Sequence, residues 1–348
     1  MASPRLSQRP RVASALRTCD SRFIAGALLL AVGIAPAHAE HQLDVYGIVD
    51  MGLSKAEVGS TPGALLPGWN SNSETFTMKA GNTSRLGLRA QRDLGDDRYA
   101  RFQLEHRFAL DSGSASNNSV FWLGRSVVAL GTKQWGELYA GREYSAAYAV
   151  ALNADPTYWS YVSQLGAVYT YARYTPVAST VEATNIRWSN AVGFKSPTVA
   201  GFSGELQTAL GEGTRPRATS ANLQYKQGGL WIGAGWDSLD SSTNLKLLAG
   251  GYDFGVVFPK ASYSEAKGGV NGDGKSYTVS AAVPLPFGRT FVSLGSYKPA
   301  SGGDSSMIGT GVQYDLDKET LVYFNLGAAK RDGSSSTKAV DLGVKYTF

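Results

Sequence analysis

Four arginines lie in segments where polar and apolar residues alternate: Arg85, Arg89, Arg125 and Arg187. Leu86 and Leu88 alternate with the first two, so a strand there would turn both arginines to the face opposite the leucines. By the same rule Ile186, Trp188 and Val192 point to one side and Arg187 to the other. Arginine keeps its charge at any physiological pH, so a shared arginine face attracts anions and repels cations. Strands that hold these side chains around one aqueous space would sort solutes by charge.

A carboxylate joins the polar face of a neighbouring predicted strand. Phe102 and Leu104 take its apolar positions, which leaves Glu105 facing the other way together with Arg101 and Arg107. Alternating acidic and basic side chains on one face are typical of a surface that meets water. We expect this strand to lie beside the one that carries the first two arginines.

Residues for bond-making chemistry are scarce. Two histidines follow residue 39, His41 and His106, and no Ser-His-Asp set is recognisable around them. The single cysteine, Cys19, lies in a predicted leader, so Cys and His ligands for a metal are lacking. The sequence Asn-Gly-Asp-Gly at residues 271–274 fits a plain turn better than a Ca²⁺ loop. We therefore expect no catalytic residue, no metal site, no cofactor and no enzymatic activity.

Residues 1–39 have the composition of a secretory signal peptide. Five arginines precede an apolar run of 12 residues, and Ala37-His38-Ala39 is a small-residue cleavage pattern. Cleavage would start the mature chain at Glu40 and would leave 28 basic and 27 acidic residues. Such a balance argues against nucleic acid as a partner. We expect residues 40–348 to form one exported domain.

The end of the chain shows the alternation most plainly. Its apolar positions, opposite polar or small residues, are Val340, Leu342, Val344, Tyr346 and Phe348. An apolar strand face that ends on an aromatic residue is typical of a strand in contact with lipid. Segments of this kind recur along the chain, and we count sixteen of them. The pattern predicts an all-β fold, a 16-stranded antiparallel transmembrane β-barrel.

The connections between these segments alternate between tight turns and longer loops rich in Gly, Ser and Asn. This is the arrangement of outer-membrane barrels, with short periplasmic turns and longer external loops. The third long connection, residues 145–184, is exceptional in length and in its aromatic content. A loop of this length is uncommon unless it is functional, and its aromatic side chains favour packing against a surface. We predict that this long segment folds into the barrel lumen and narrows it.

Several stretches along the chain match a known family in the same order. They are LDVYGIVDMG (43–52), SRLGLRA (84–90), FQLE (102–105), GELYAGRE (136–143), NIRWSN (185–190) and the C-terminal VDLGVKYTF (340–348). In these stretches the chain resembles the trimeric Gram-negative outer-membrane porins, the branch of 16-stranded general and anion-selective barrels. The series of motifs spans the whole predicted mature chain, although no single motif is specific.

The resemblance implies an outer-membrane location in a Gram-negative cell, lipid as a partner and a homotrimer. It further implies a water-filled channel for the passive diffusion of small hydrophilic or anionic solutes. In similar porins a basic cluster at the positions of Arg85, Arg89 and Arg187 forms one wall of a constriction. The complete set of predicted constriction residues is Arg85, Arg89, Arg125, Arg187, Glu105, Asp155 and Arg173.

The long segment departs from the pattern of similar porins, which usually carry an acidic pair and a PEFGG-like turn there. Asp155 is the only acid between Glu143 and Glu182, and Arg173 adds a positive charge. The negative wall that would oppose the arginines is thus mostly missing. We expect anion preference, with a reach limited by screening over about 8 Å at physiological salt.

Three alternatives remain open. The arginines, Arg101 and Arg107 above all, can be ordinary interior residues of a wet barrel. Arg125 shares its face with Val127 and Ala129, which argues against an inward orientation. The aromatic residues of the long segment can simply pack it against the wall, or they can form a slide for aromatic or sugar-like solutes. The barrel can also be a structural or adhesive protein without an open pore. The predicted slide residues are Tyr158, Trp159 and Tyr161.

Overall fold

The structure, a computed structural model, describes residues 41–68, 74–175, 186–211 and 217–348. The predicted signal peptide and residues 176–184 of the long segment lie outside the described residues. The described chain contains seventeen strands. They are β1 (His41–Glu57), β2 (Thr77–Lys79), β3 (Ser84–Gly95), β4 (Arg98–Phe108), β5 (Arg125–Thr132), β6 (Gly136–Tyr144), β7 (Arg187–Lys195), β8 (Phe202–Ala209), β9 (Ala218–Gln227), β10 (Leu230–Ser238), β11 (Asn244–Tyr252), β12 (Phe258–Lys267), β13 (Gly274–Leu285), β14 (Gly288–Pro299), β15 (Ser305–Asp315), β16 (Thr320–Arg331) and β17 (Thr337–Thr347).

The strands close into a single antiparallel barrel. From β3 to β17 each strand pairs with the next in sequence, and β1 closes the ring by pairing with β17 on one side and with β2 and β3 on the other. Because β2 and β3 both pair with β1, at Leu53↔Met78 and Ile48↔Arg85, they occupy one position in the barrel. The barrel therefore has sixteen strand positions, which confirms the predicted fold class.

The predicted second strand is interrupted rather than continuous. Residues 80–83 leave the ladder between Lys79 and Ser84. At this break the backbone amide of Gly81 donates to the side-chain carboxylate of Asp50 on β1, at 2.8 Å, instead of to a backbone carbonyl. The interruption therefore exposes backbone groups to contacts from outside the sheet.

The two faces of the barrel differ as the alternation predicts. Large apolar side chains are exposed on the outer face, with Leu86 44% and Val344 47% exposed. Asp50, Asp237 and Asp341 are buried on the opposite face. Exposed apolar side chains outside and buried polar ones inside reverse the order of a soluble protein, because the solvent of the outer face is lipid.

Trp188 is an exception, and its predicted outward orientation is wrong. Its side chain is only 2% exposed and packs with Ala191, Ala209 and Ala218. The register of β6 and β7 shifts here, and Asn190 has a φ of 54°. The extra residue of β7 interrupts the alternation at this point, so Trp188 is buried, and Arg187 next to it is buried as well.

The connections follow the predicted asymmetry. Seven short turns, such as that between β9 and β10, lie at the end of the barrel where β1 begins and β17 ends, and the three longest connections lie at the other. The C-terminal residue completes the ladder at the turn end, because Phe348 and Gly47 exchange backbone hydrogen bonds of 2.9 and 3.1 Å. The long segment is the third connection at the loop end, as predicted.

Helical structure is minor. A 3₁₀ turn (Gly63–Leu65) lies in the first long connection, and the long segment contains α1 (Ala146–Ala154) and α2 (Gly166–Thr170). Within the part of the chain that the structure describes, no helix has the length and apolar character needed to cross a bilayer.

Candidate functional site

The long segment begins with α1, which packs on the strand faces that carry the buried polar residues. Its residues Ala147 and Val150 lie over two glycines of β10. A Cβ atom on Gly235 would come within 3.1 Å of the Cα atom of Ala147, and one on Gly233 within 2.9 Å of a Val150 methyl. Because neither glycine carries a side chain, the helix can approach the sheet closely.

Asp155 organises the turn that follows α1. Its Oδ1 accepts hydrogen bonds from the amide and the hydroxyl of Thr157, at 2.8 and 2.6 Å. Its Oδ2 accepts from the amides of Leu165 and Gly166, at 2.8 and 3.0 Å. Burial raises the pKa of Asp155, and the four donors oppose that rise. The carboxylate thus ties the two ends of residues 155–166 together.

The middle of the long segment is fixed to strands on both sides of the barrel closure. The amide of Tyr161 donates to the carbonyl of Gly81 at 2.8 Å, which uses the break between β2 and β3. The amide of Val162 donates to Oδ2 of Asp341 on β17, also at 2.8 Å. A Cβ atom on Gly327 of β16 would overlap the carbonyl oxygen of Val162. The backbone of the segment therefore lies directly on the strands.

A cavity of about 430 Å³ lies between this segment and the strands of the first half of the barrel. We call it the arginine cavity. Its strand side includes Arg85, Glu105, Arg107, Arg125, Glu143, Tyr144, Arg187, Lys195 and Glu205. Its segment side includes Ser145, Tyr148, Ala149, Leu152, Tyr158, Trp159 and Ser160. The titratable groups of the strand side comprise five basic and three acidic side chains, whereas the segment side adds no carboxylate.

Tyr144 is the centre of the basic side. The guanidinium carbon of Arg187 lies 4.3 Å from the centroid of its ring, and that of Arg125 lies at 5.0 Å. Its hydroxyl accepts hydrogen bonds from Arg107 at 2.8 Å and from Arg187 at 2.5 Å. Cation–π contacts and charge-assisted hydrogen bonds together hold three guanidinium groups around one phenol.

Two of the arginines also have carboxylate partners. Arg125 donates to Glu143 and Arg107 to Glu105, each at 2.8 Å. Arg85 and Arg187 form no ion pair with any residue in the described ranges. Arg85 instead bonds to the side chain of Asn82 and to a backbone carbonyl. Among the described residues, these two side chains are therefore not directly paired with a carboxylate.

The segment side of the cavity is aromatic and closely packed. Tyr148 stacks on Tyr144 with ring centroids 4.7 Å apart, and Trp159 meets Tyr148 edge-on at 4.8 Å. The indole nitrogen of Trp159 donates to the carbonyl of Ala151 at 3.3 Å. Tyr158 is the most open of these rings, with 46% of its surface exposed. Burial raises the pKa of the Tyr148 phenol, so this ring stays neutral.

The arginine cavity brings together six residues that the sequence singles out. They are Arg85, Glu105, Arg125, Tyr158, Trp159 and Arg187. Arg89 lies elsewhere, in a separate depression where it pairs with Asp44 at 3.0 Å. Arg173 does not line the cavity either.

The burial of two further residues differs from the role that the sequence predicts for them. Asp155 is inaccessible and does not present its charge to the cavity. Tyr161, expected as part of a solute slide, is 2% exposed and packs against Tyr323 with centroids 4.4 Å apart. Asp155 holds parts of the segment together, and Tyr161 packs it against a strand. The alternation of residues in strands gives no information about such contacts in a loop.

The sequence analysis missed Tyr144, Tyr148 and Lys195, and it did not assign Arg107 to the constriction. Tyr144 ends β6, where alternation is no longer a guide to orientation. The Glu143-Tyr144 pair at the end of a strand, next to the long segment, was the available signal. In the part of the chain that the structure describes, no group of three or more His, Cys, Asp or Glu side chains is placed to hold a metal ion.

A closed antiparallel barrel with an apolar outer face and charged residues within defines a transmembrane barrel protein of the outer membrane. The chain belongs to the Gram-negative porin family, whose profile matches residues 25–334. It is therefore an outer-membrane protein and a channel-forming barrel, with lipid against its apolar face.

Similar proteins agree with this assignment. An outer membrane porin protein of Bordetella pertussis is 26% identical, and the match covers 94% of this chain and all of the relative. Outer membrane porin protein 32 of Delftia acidovorans is 25% identical over 90% of each chain. Among solved structures, an anion-selective porin from Comamonas acidovorans has a TM-score of 0.72 at 22% identity, covering 89% of this chain and 100% of its own. The last similarity shows the fold.

Proposed function

We propose that this porin forms a water-filled channel for the passive diffusion of small hydrophilic solutes and that it prefers anions. One observation carries the preference: five basic and three acidic side chains line the arginine cavity, and its segment side contributes no carboxylate. The local excess of positive charge favours anions and raises the free energy of cations at the narrowest point. The anion-selective name of the similar Comamonas porin supports the same proposal.

In this proposal the long segment folds into the lumen and forms the constriction together with the arginine cavity. Its hydrogen bonds to Gly81 and Asp341, and its packing on β10, support that position. Arg85 and Arg187 are the residues we expect to act on passing ions, because they lack carboxylate partners among the described residues. Arg107 and Arg125 contribute less net charge, because each is paired.

Single-channel recording in a planar bilayer tests the proposal. We expect stable open steps and, under a KCl gradient, a reversal potential with the sign of chloride preference. A cation-selective potential would refute the role given to the arginine cavity. Stable insertion without open steps would favour the structural or adhesive barrel instead.

We also propose a homotrimer, following the resemblance to trimeric porins and the exposed apolar side chains of the outer face. The measurement is the protein mass in detergent by light scattering with refractive-index correction. A mass three times that of one chain is expected, and a monomeric mass at all protein concentrations would contradict it.

A further inference from the structure

The two sides of the arginine cavity differ in chemistry beyond their charge. The strand side presents guanidinium groups, whereas the segment side presents the rings of Tyr158 and Trp159 together with the aliphatic Leu152. A cavity with a cationic side and an aromatic side is complementary to a solute that has an anionic head and a flat apolar body. Chloride or a fully hydrophilic anion uses only one of the two sides.

The position of Tyr158 in the arginine cavity is not explained by packing in the interior. Tyr148, Tyr161, Tyr169 and Tyr171 of the same segment are buried, so their rings serve packing. Tyr158 is 46% exposed, and its backbone has a φ of 52°. Residues with a Cβ atom rarely adopt this left-handed conformation, and they persist in it where the surrounding structure requires it. The turn that carries Tyr158, Trp159 and Tyr161 therefore has a conformational cost, and of these rings it leaves Tyr158 the most exposed.

The ring of Tyr158 is held in place from the opposite side of the barrel. The ammonium of Lys260 on β12 lies 5.2 Å from its centroid, and the guanidinium carbon of Arg289 on β14 lies at 5.8 Å. The Lys260 ammonium is itself fixed, because it donates to the carbonyl of Asn153 at 2.7 Å. These contacts limit the freedom of the ring, so a solute that stacks on it loses little by ordering it.

We infer that the arginine cavity recognises aromatic carboxylates, with the ring of the solute against Tyr158 and Trp159 and its carboxylate directed to Arg85 and Arg187. The inference rests on the proposed anion-preferring channel and names the solute class for its constriction. A carboxylate suits the cationic end, because guanidinium groups donate parallel hydrogen bonds to it. Arg85 and Arg187 both line the cavity, and in the described chain the carboxylates Glu105 and Glu143 pair with Arg107 and Arg125 instead.

The test compares benzoate with cyclohexanecarboxylate, which has the same charge and a similar size but no aromatic ring. Each is added to single channels carrying chloride current, and the concentration that halves the current is measured. We expect benzoate to act at a concentration about two- to tenfold lower, the range typical of one aromatic contact. In Tyr158→Leu the two carboxylates should halve the current at the same concentration, and in Tyr158→Phe the difference between them should persist.

A matched control is Tyr252→Leu, which removes a tyrosine of similar exposure, 42%, from the end of β11, away from the arginine cavity. It should leave the ratio unchanged. Equal potency of the two carboxylates in a channel that prefers chloride would overturn this inference alone, as would an unchanged ratio in Tyr158→Leu. An unmodified channel that does not prefer chloride would instead overturn the proposed function.

Discussion

The guanidinium carbon of Arg187 lies 4.3 Å from the centroid of the Tyr144 ring, and one of its nitrogens donates to the Tyr144 hydroxyl at 2.5 Å. The other side of the contact continues into the long segment, because Tyr148 stacks on Tyr144 at 4.7 Å. A charged wall and the loop that faces it thus share one phenol. Tyr144 therefore contacts both Arg187 and the long segment, so a shift of its ring would change the positions of both.

Tyr144→Phe should lower the free energy of unfolding by about 1–2 kcal/mol, since the hydroxyl that accepts from Arg107 and Arg187 is lost while the ring remains. Tyr144→Leu should cost more, because stacking with Tyr148 is lost as well. Urea unfolding in lipid vesicles measures both. Tyr225→Phe, which removes an exposed hydroxyl bonded to Gln227, is the control and should change stability by less than about 0.5 kcal/mol.

Replacing Arg85 and Arg187 together with Ser should reduce the chloride-to-potassium permeability ratio at least about twofold, because these two charges lack carboxylate partners in the described chain. Arg89→Ser should have a smaller effect, since this residue lies outside the arginine cavity. The double variant Arg98→Ser, Lys318→Ser removes the same charge at exposed sites, the start of β4 and the turn between β15 and β16, and controls for net charge. Selectivity equal to that of the unmodified channel would mean that the constriction lies elsewhere.

Gly327→Ala should displace the long segment, because the added Cβ atom would overlap the carbonyl oxygen of Val162. We expect a higher single-channel conductance and a loss of about 1–3 kcal/mol in unfolding free energy, as for other overpacked contacts. Gly250→Ala is the control, since the nearest atom to its Cβ is 3.2 Å away and belongs to a neighbouring strand. If both variants conduct as the unmodified channel does, the segment does not narrow the pore.

Asp155→Asn should loosen the turn of the long segment. In asparagine an NH₂ group replaces the carboxylate oxygen that accepts hydrogen bonds from the amides of Leu165 and Gly166. Each buried amide left without an acceptor should lower the free energy of unfolding by about 1–3 kcal/mol. Faster proteolysis between residues 155 and 166 and noisier open-channel current are expected. Asp240→Asn is matched to it, because Asp240 makes similar bonds to Ser242 and Thr243 at an exposed site. Equal behaviour of the two variants would contradict the organising role of Asp155.

The barrel could be predicted because the alternation of apolar and polar residues within each strand indicates which face meets lipid. Leu86 and Val344 are exposed as the alternation predicts, since lipid surrounds the outer face and water and polar groups fill the inner one. Trp188 departs from this rule, because an extra residue in β7 interrupts the alternation and cannot be recognised from the composition of the strand. The predicted signal peptide lies outside the described residues and stays a prediction.

The long segment was predictable in its extent but not in its conformation. Helix α1 has apolar residues on all sides, so it lacks the 3.6-residue period that marks a helix with one exposed face. Its position depends on Gly233 and Gly235, and the turn depends on Asp155 meeting amides ten and eleven residues away. Neither relationship is visible until the chain is folded.

The sequence by itself determined the class of fold, the outward apolar face and the inward placement of Arg85, Arg125 and Glu105, because strand alternation is a local property. Only the tertiary structure decided that Tyr144 gathers three arginines, that Asp155 and Tyr161 are buried and that Tyr158 is exposed. Those outcomes depend on contacts between the long segment and strands far from it in sequence, which no local period encodes.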